Sequence, residues 1–281
     1  MFHSVAIIGA GQMGTGISQY LAMKNIKVTL IDYKEANIYK AKQSINNNLN
    51  KLLLKEKMTN DELLQVQSSI NYTTEIDKCS EMDLVIESIS ESLDKKQELF
   101  NKLNEIMNEN SILATNTSSL SITKLSAMYK IPSKVIGIHF FNPAVIMPLV
   151  EIINGLETSK DTIAQVNEFI EKINKIPVFV LDHSGFIVNR ILIPMINEAV
   201  FVLQEGIASA EEIDKAMKLG SNQPMGPLEL GDFIGLDTCL SIMETLHSNL
   251  GEDKYRPAPL LRKYVDGNHL GRKTKRGFYL Y

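Results

Sequence analysis

The sequence predicts an α/β unit followed by an all-helical one, and three observations carry that reading. Short apolar runs alternate with helix-period patterns as far as Leu181, as strands threaded through helices do. A glycine-rich turn, GAGQMG, joins the first run to the first helical pattern. Beyond Gly185 the strand signals stop and helical patterns take over, which sets units 1–184 and 185–281.

Residues 5–9 form the first apolar run, Gly9 to Gly14 the turn, and Ile17, Leu21 and Ala22 mark the helix behind it. In a strand, turn, helix order each glycine has its own task. Gly9 permits the tight turn, Gly11 lets the backbone approach a pyrophosphate, and Gly14 lets helix and strand pack closely. The helix start then offers free N–H groups to phosphates. A second run, 27–31, ends in Asp32, 18 residues beyond Gly14, where a dinucleotide fold expects an acid about 20 residues on. Its carboxylate would hydrogen-bond a ribose 2′-hydroxyl and repel a 2′-phosphate, which predicts NAD over NADP. The competing reading, a capped glycine turn with no ligand, has to explain strand, turn, helix and acid in one register. The first unit is therefore expected to be a Rossmann-type dinucleotide-binding domain.

Residues 35–58 read as one long amphipathic helix, with Ile38, Ala41, Ile45, Leu49, Leu52 and Leu53 on one side and Lys40, Lys51, Lys55 and Lys57 elsewhere. Such a lysine face is either solvated or grips an anionic substrate tail, and the pattern leaves both open. Helices at 59–67 and 93–107 and strands at 70–73, 83–89 and 111–115 follow. The last of these runs into TNTSSLS, a hydroxyl-rich turn at a strand's carboxyl end, where open α/β sheets bind ligands. Strand 135–139 brings His139 to another carboxyl end, and 149–153, holding Glu151, pairs beside it, so three strand ends are expected to converge. A helix at 159–174 and a strand at 177–181 complete an eight-strand pattern.

His139 in GIHFFNPAVIMPLVE is a candidate general base, because imidazole needs the least tuning to take a proton at neutral pH. Glu151 would fix its tautomer and stabilise its cation. The same stretch also fits a histidine packed beside Phe140 and Phe141 in the core, and the residues alone leave both open.

The second half reads as helices at 186–204, 209–219, 227–250 and 259–265. The first is apolar on more than one face, which fits burial in its own unit and against a second subunit. Asn189, Arg190, Pro194, Asn197 and Glu198 interrupt it, so it is no membrane span. Asn189 reads as a structural hydrogen-bonder or as an amide serving the active site.

With 29 basic and 33 acidic residues, net −4, the chain has no electrostatic footprint for nucleic acid or an anionic membrane. Cys79 and Cys239 match no metal or redox spacing, so free thiols in a reducing compartment are the default, with a disulfide still open. No metal-ligand cluster is present. An apolar strand by Val5 leaves no room for a secretory signal, and a cytoplasmic location is expected.

The stretches GAGQMGTGIS, VIESISE, ATNTSSLSIT, GIHFFNPAVIMPLVEII, GFIVNRILIPMINEA, PMGPLELGDFIGLDTCL and GRKTKRGFYLY, in this order, resemble the 3-hydroxyacyl-CoA dehydrogenase family over essentially the whole chain. The resemblance implies an NAD-dependent enzyme that oxidises an L-3-hydroxyacyl-CoA, with a four-carbon substrate favoured, and a homodimer formed through the helical domain. It implies His139 as general base, Glu151 as its orienting partner, and Ser118 and Asn189 as ligands of the reacting oxygen. It further implies NAD contacts at Gly9, Gly11, Gln12, Met13, Gly14, Asp32, Glu91, Lys96, Ser118 and Asn142, and an approach of Asn48 and Lys55 to the CoA moiety.

Several positions depart from the family's pattern. Ser184, after His183, stands where proline is common, and this predicts a looser hinge. Gln223 precedes PMGP in place of histidine, and Val145 and Pro148 replace proline and lysine. None of the four catalytic candidates is altered, so altered rate or preference is expected before lost activity. Two other classes remain in view. A β-hydroxyacid dehydrogenase shares the glycine turn but uses a lysine base, and no segment here matches its lysine motif. A noncatalytic NAD-binding protein of crystallin type would not need Ser118, His139, Glu151 and Asn189 together.

Overall fold

The apolar run that opens the chain becomes the middle of a sheet, and its alternate residues serve opposite faces. In the computed structural model, which describes residues 2–281, Val5 and Ile7 pack on one side with Ile17, Leu21 and Ile45. Ala6 and Ile8 pack on the other with Phe100, Leu103 and Leu125. Strands buried on both faces read as continuous apolar runs because helices cover both sides.

The chain divides into two units, the first ending at His183 and the second running from Ser184 to Tyr281. The first contains, in order, β1 (Ser4–Ile8), α1 (Gln12–Met23), β2 (Lys27–Ile31), α2 (Glu35–Leu54), α3 (Asn60–Ser68), β3 (Ile70–Thr73), β4 (Leu84–Glu87), α4 (Leu93–Ile106), β5 (Ile112–Thr115), α5 (Ile122–Ser126), β6 (Val135–Phe140), β7 (Leu149–Asn154), α6 (Lys160–Lys172) and β8 (Ile176–Leu181). One eight-stranded sheet has the order β3-β2-β1-β4-β5-β6-β7-β8. All pairs are parallel except β6 with β7. The strand order reverses between β1 and β4, the crevice where such sheets take their ligands.

The second unit is all-helical: α7 (Val188–Gln204), α8 (Ala210–Gly220), α9 (Pro227–Ile234), α10 (Leu236–Leu250) and α11 (Pro259–Asp266). Its own core gathers Ile193, Ile196, Val200, Leu228, Leu236, Met243, Leu246 and Leu261. The C-terminal segment is tied down by two carboxylates. Asp232 accepts the N–H groups of Phe278 and Tyr279, and Asp214 accepts the Tyr279 hydroxyl at 2.8 Å.

Three sequence expectations are corrected here, and one element is new. The helix expected over 35–58 ends at Leu54, because Glu56 turns to φ 54° and its N–H closes on Leu53. The helix expected over 227–250 is two helices, broken at Gly235, whose φ of 105° leaves the helical region. The short α5, whose N-cap Ser121 accepts the Lys124 N–H, was not anticipated. Strand β7 runs against β6, so Glu151 lies within a strand and not at a converging carboxyl end.

Both cysteines are buried and unpaired, and burial pushes each thiol up to about 12. No helix among the described residues is long and apolar enough to cross a membrane, and no acid, histidine or cysteine cluster among them has the make-up of a metal site. Phe100, with no exposed surface, anchors α4 on the sheet. Phe100→Ala should destabilise the α/β unit by about 3–5 kcal/mol, read as a lowered urea midpoint by circular dichroism, and a loss under about 1 kcal/mol would contradict this packing.

Candidate active site

Turn geometry at the end of β1 is set by what the glycines exclude. Gly9 adopts φ 108°, and a Cβ there would lie 2.4 Å from the Ser88 carbonyl oxygen. A Cβ on Gly14 would fall 1.8 Å from the Gly9 oxygen, so helix α1 can cross β1 this closely only without a side chain. Gly11 differs, because nothing lies within 4 Å of where its side chain would begin. The protein itself leaves that space open, and α1 starts there with no side-chain cap on its N–H groups. Open space over uncapped amides fits a pyrophosphate. Gln12 and Met13 form the first turn of the same helix.

Asp32, 7% exposed at the end of β2, faces this turn. Its Oδ2 accepts the Ala10 N–H at 2.9 Å, while Oδ1 accepts the Lys34 N–H and the Asn37 side-chain amide. An ionised carboxylate has about four acceptor positions, so one remains for a ribose hydroxyl.

At the carboxyl ends of β4 and β5 lies a buried charge network. Glu87 closes the otherwise apolar β4 with no exposed surface. It accepts Lys96 Nζ at 2.6 and 2.7 Å, the Thr115 hydroxyl at 2.7 Å and the Ile89 N–H at 2.7 Å. Lys96 is 1% exposed and also lies 3.4 Å from Glu91. Glu91 in turn gathers the hydroxyl-rich turn, accepting the Thr117 hydroxyl at 2.5 Å, the N–H groups of Ser118 and Ser119, and both serine hydroxyls. Burial by itself would raise the Glu91 carboxyl, but the Lys96 ammonium and these donors outweigh it and hold the group below its ordinary value of 4.5. Glu87 escaped the sequence reading. The available signal was an acid at the end of a buried strand, nine residues before a lysine on the following helix.

His139 and Glu151 are direct cross-strand partners in the antiparallel β6–β7 pair, which puts both side chains on one face. Nδ1 of His139 lies 2.8 Å from Oε2 of Glu151, with the residues 6% and 1% exposed. A carboxylate can only accept, so Nδ1 carries the proton and Nε2 of the neutral ring keeps its lone pair. The Phe141 ring lies against the imidazole, centroids 4.4 Å apart. Asn116, also missed from sequence, accepts the Phe140 N–H at 2.9 Å and so ties the end of β5 to the histidine strand. Asn142 Oδ1 accepts Gln12 Nε2 at 3.2 Å, bringing the end of β6 to the glycine turn.

The structure therefore groups the glycine turn with Asp32, Gln12 with Asn142, Ser118 with Glu91 and Lys96, and His139 with Glu151. Asn48 and Lys55 stand apart on α2: Asn48 donates to Gln19 at 3.2 Å, and Lys55 is the exposed C-cap. Asn189 belongs to the first turn of α7 in the helical unit.

A nucleotide-binding turn feeding a buried histidine–carboxylate pair defines an NAD-linked oxidoreductase. The family model for the NAD-binding domain of 3-hydroxyacyl-CoA dehydrogenase matches residues 4–183, and that for its C-terminal domain matches 185–281. The chain belongs to the 3-hydroxyacyl-CoA dehydrogenase family. It is 50% identical over 277 residues to the 3-hydroxybutyryl-CoA dehydrogenase of Clostridioides difficile, covering 99% of each chain. It is 47% identical to the same-named protein of Bradyrhizobium diazoefficiens, covering 99% of this chain and 94% of that one. A solved (S)-3-hydroxybutyryl-CoA dehydrogenase from Ralstonia eutropha superposes with a TM-score of 0.96 at 46% identity, covering 100% of this chain and 99% of the other.

The Glu91 clamp has a calculable pH dependence. A depressed carboxyl contributes stability that is present above the unfolded value and lost as pH falls through the folded one. The stability difference between wild type and Glu91→Gln should therefore be constant near neutrality and shrink on acidification below about pH 4.5. A difference that grows toward acid would contradict the clamp.

Proposed function

We propose that this enzyme interconverts an L-3-hydroxyacyl-CoA and the corresponding 3-ketoacyl-CoA, with 3-hydroxybutyryl-CoA and acetoacetyl-CoA as its main pair. The observation that carries this is the buried 2.8 Å pair of His139 and Glu151 in a unit built to bind NAD. Bound NAD supplies the hydride acceptor, and NADH the donor in reverse. His139 uses the Nε2 lone pair to take the hydroxyl proton during oxidation and returns it to the ketone during reduction. Glu151 holds the imidazole in the tautomer that leaves Nε2 free and favours the imidazolium when it forms. Ser118 holds the reacting oxygen as its charge changes, and Asn189 is retained from the resemblance as a second candidate for that role. Glu91 keeps the Ser118 backbone in place and so aims its hydroxyl.

Gly9, Gly11, Gln12, Met13 and Gly14 are assigned to the pyrophosphate, Asp32 to the adenosine ribose, and Asn142 to the cofactor beyond the turn. Lys96 enters this scheme through Glu91, since its ammonium is occupied by two carboxylates. Asn48 and Lys55 remain candidates for the CoA moiety, supported by the exposure of Lys55. The enzyme is further assigned to the cytoplasm and to a homodimer formed through its helical unit. Ile191, 68% exposed on α7, and Phe233, 43% exposed on α9, support an apolar surface for a second copy.

The first test follows NADH and NADPH absorbance as the purified protein meets acetoacetyl-CoA. Fast oxidation that prefers NADH is expected, and none of either from folded, NAD-binding protein would sink the reading. His139→Gln should abolish turnover while leaving NADH affinity nearly intact. Reduction requires the protonated histidine and oxidation the neutral one, so kcat/KM should favour lower pH for reduction. Matching profiles in the two directions would remove His139 from this role.

A further inference from the structure

A buried lysine outside the proposed chemistry holds the loop between the histidine and glutamate strands. Lys175, in the turn between α6 and β8, is 5% exposed. Its Nζ donates to the Ala144 carbonyl at 2.7 Å and the Met147 carbonyl at 2.6 Å, and it sits 3.7 Å from the centroid of the Tyr20 ring. No carboxylate among the described residues pairs with it. A buried ammonium whose partners are two carbonyls and a ring face is costly to keep. Burial first, and Lys24 second, lower its pKa to about 8, so at neutral pH it still carries its proton and all three donors.

What this cation holds is specific. Residues 143–147 follow Asn142, two residues past the end of β6, and the Pro143 carbonyl takes the N–H groups of Ile146 and Met147. That folds the loop on itself and leaves the Ala144 and Met147 carbonyls turned to Lys175. Ala144 meanwhile lies against α1, since a Cβ built on Gly16 would stand 3.5 Å from the Ala144 Cβ. Tyr20, one turn further along α1, donates its hydroxyl to the Ile173 carbonyl at 2.7 Å, beside the lysine. The Ile176 N–H reaches the Pro148 carbonyl at 2.8 Å. The α6–β8 turn, the loop and the cofactor helix thus meet at one ammonium.

We infer that Lys175 is a positioning residue for the cofactor, fixing loop 143–147 against α1 so that Asn142 stays on Gln12 at the glycine turn. The inference rests on the proposed assignment of the glycine turn and Asn142 to NAD. Lys175 touches neither substrate nor reacting atoms; its effect belongs to cofactor affinity and not to the chemical step. The departures Val145 and Pro148 fall in and beside this loop, so in this chain the loop is held by backbone groups that any side chain supplies.

The test is Lys175→Met, which keeps the apolar stem and removes the donors. Displacing the loop should raise the dissociation constant for NADH, followed by fluorescence titration, roughly tenfold, and KM for NADH with it, while kcat at saturating NADH stays within about twofold. Tyr20→Phe keeps the ring beneath the ammonium and drops only the hydroxyl tie, so it should lower Tm with NADH affinity unchanged. Gly16→Val, which pushes Ala144 from α1 with Lys175 intact, should weaken NADH in the same way and carries the test if Lys175→Met does not fold. Wild-type affinity in folded Lys175→Met, or in Gly16→Val, overturns the inference. So does an affinity loss that merely tracks Tm across all three variants. Because NADH binding is read directly, failure of wild type to turn over acetoacetyl-CoA would refute the proposed reaction and leave this result readable.

Discussion

The direction of one strand governs the site. In a wholly parallel sheet β7 could follow β6 only through a long crossover, and Glu151 would come from a different part of the fold. Running antiparallel, β7 presents Glu151 opposite His139, with Cβ atoms about 5 Å apart on one face, so a single rotamer of each closes the 2.8 Å contact. Eleven residues between the two partners suffice, and all the chemistry assigned to them depends on register, since a slip of one residue would turn Glu151 to the other face. The same reversal creates the loop that needs anchoring. Its backbone groups lie outside the ladder, and the Pro143 carbonyl, the Ile176 N–H and Lys175 take them up.

Buried charge in this unit is organised by position more than by stability. Burying an ion pair costs several kcal/mol per ion, and the Coulomb gain returns that only with good geometry and further hydrogen bonds. Glu87 meets that standard, with an ammonium, a hydroxyl and an amide on its two oxygens. An apolar pair of similar size would hold β4 to α4 at least as well. What it could not do is set Lys96 beside Glu91, whose oxygen is the common acceptor of the turn bearing Ser118. The network spends stability at the sheet's carboxyl edge to fix a polar turn that would otherwise have many conformations.

How much of this was legible in the sequence follows from what each signal reports. Strand runs, the glycine turn and Asp32 are local patterns, and the structure keeps each where the pattern put it. The His–Glu pair was visible as two residue types, but the direction of β7 was not, because a short strand reads the same both ways. Pattern also failed where one residue's backbone decided the outcome, at Glu56 and Gly235. Glu87 had a signal in its place at the end of a buried strand, whereas Asn116 and Lys175 were missed for a common reason. Charged and amide residues are read as surface, and only tertiary partners distant in sequence, such as the Ala144 carbonyl for Lys175 and the Phe140 N–H for Asn116, show what they hold. Lys96 was read only as a cofactor contact implied by the resemblance, and its ion pairs with Glu87 and Glu91 were not visible in the pattern.

Cofactor choice shows how magnitudes settle competing charges. Asp32 and Lys34 both lie at the end of β2, one repelling a 2′-phosphate and the other attracting it. Asp32 is buried and fixed by three donors, so its charge acts at a defined place through a poorly screening medium. Two unit charges about 4 Å apart at an effective dielectric near 20 interact by about 4 kcal/mol, close to a thousandfold in affinity. The Lys34 ammonium is solvated, sits 5.0 Å from the exposed Tyr33 ring, and is screened by salt. On this comparison the carboxylate outweighs the lysine. It also accepts the Ala10 N–H, so the group proposed to select the cofactor is one that holds the glycine turn in place. A change of cofactor preference at Asp32 would have to keep an acceptor for Ala10 as well as remove a charge.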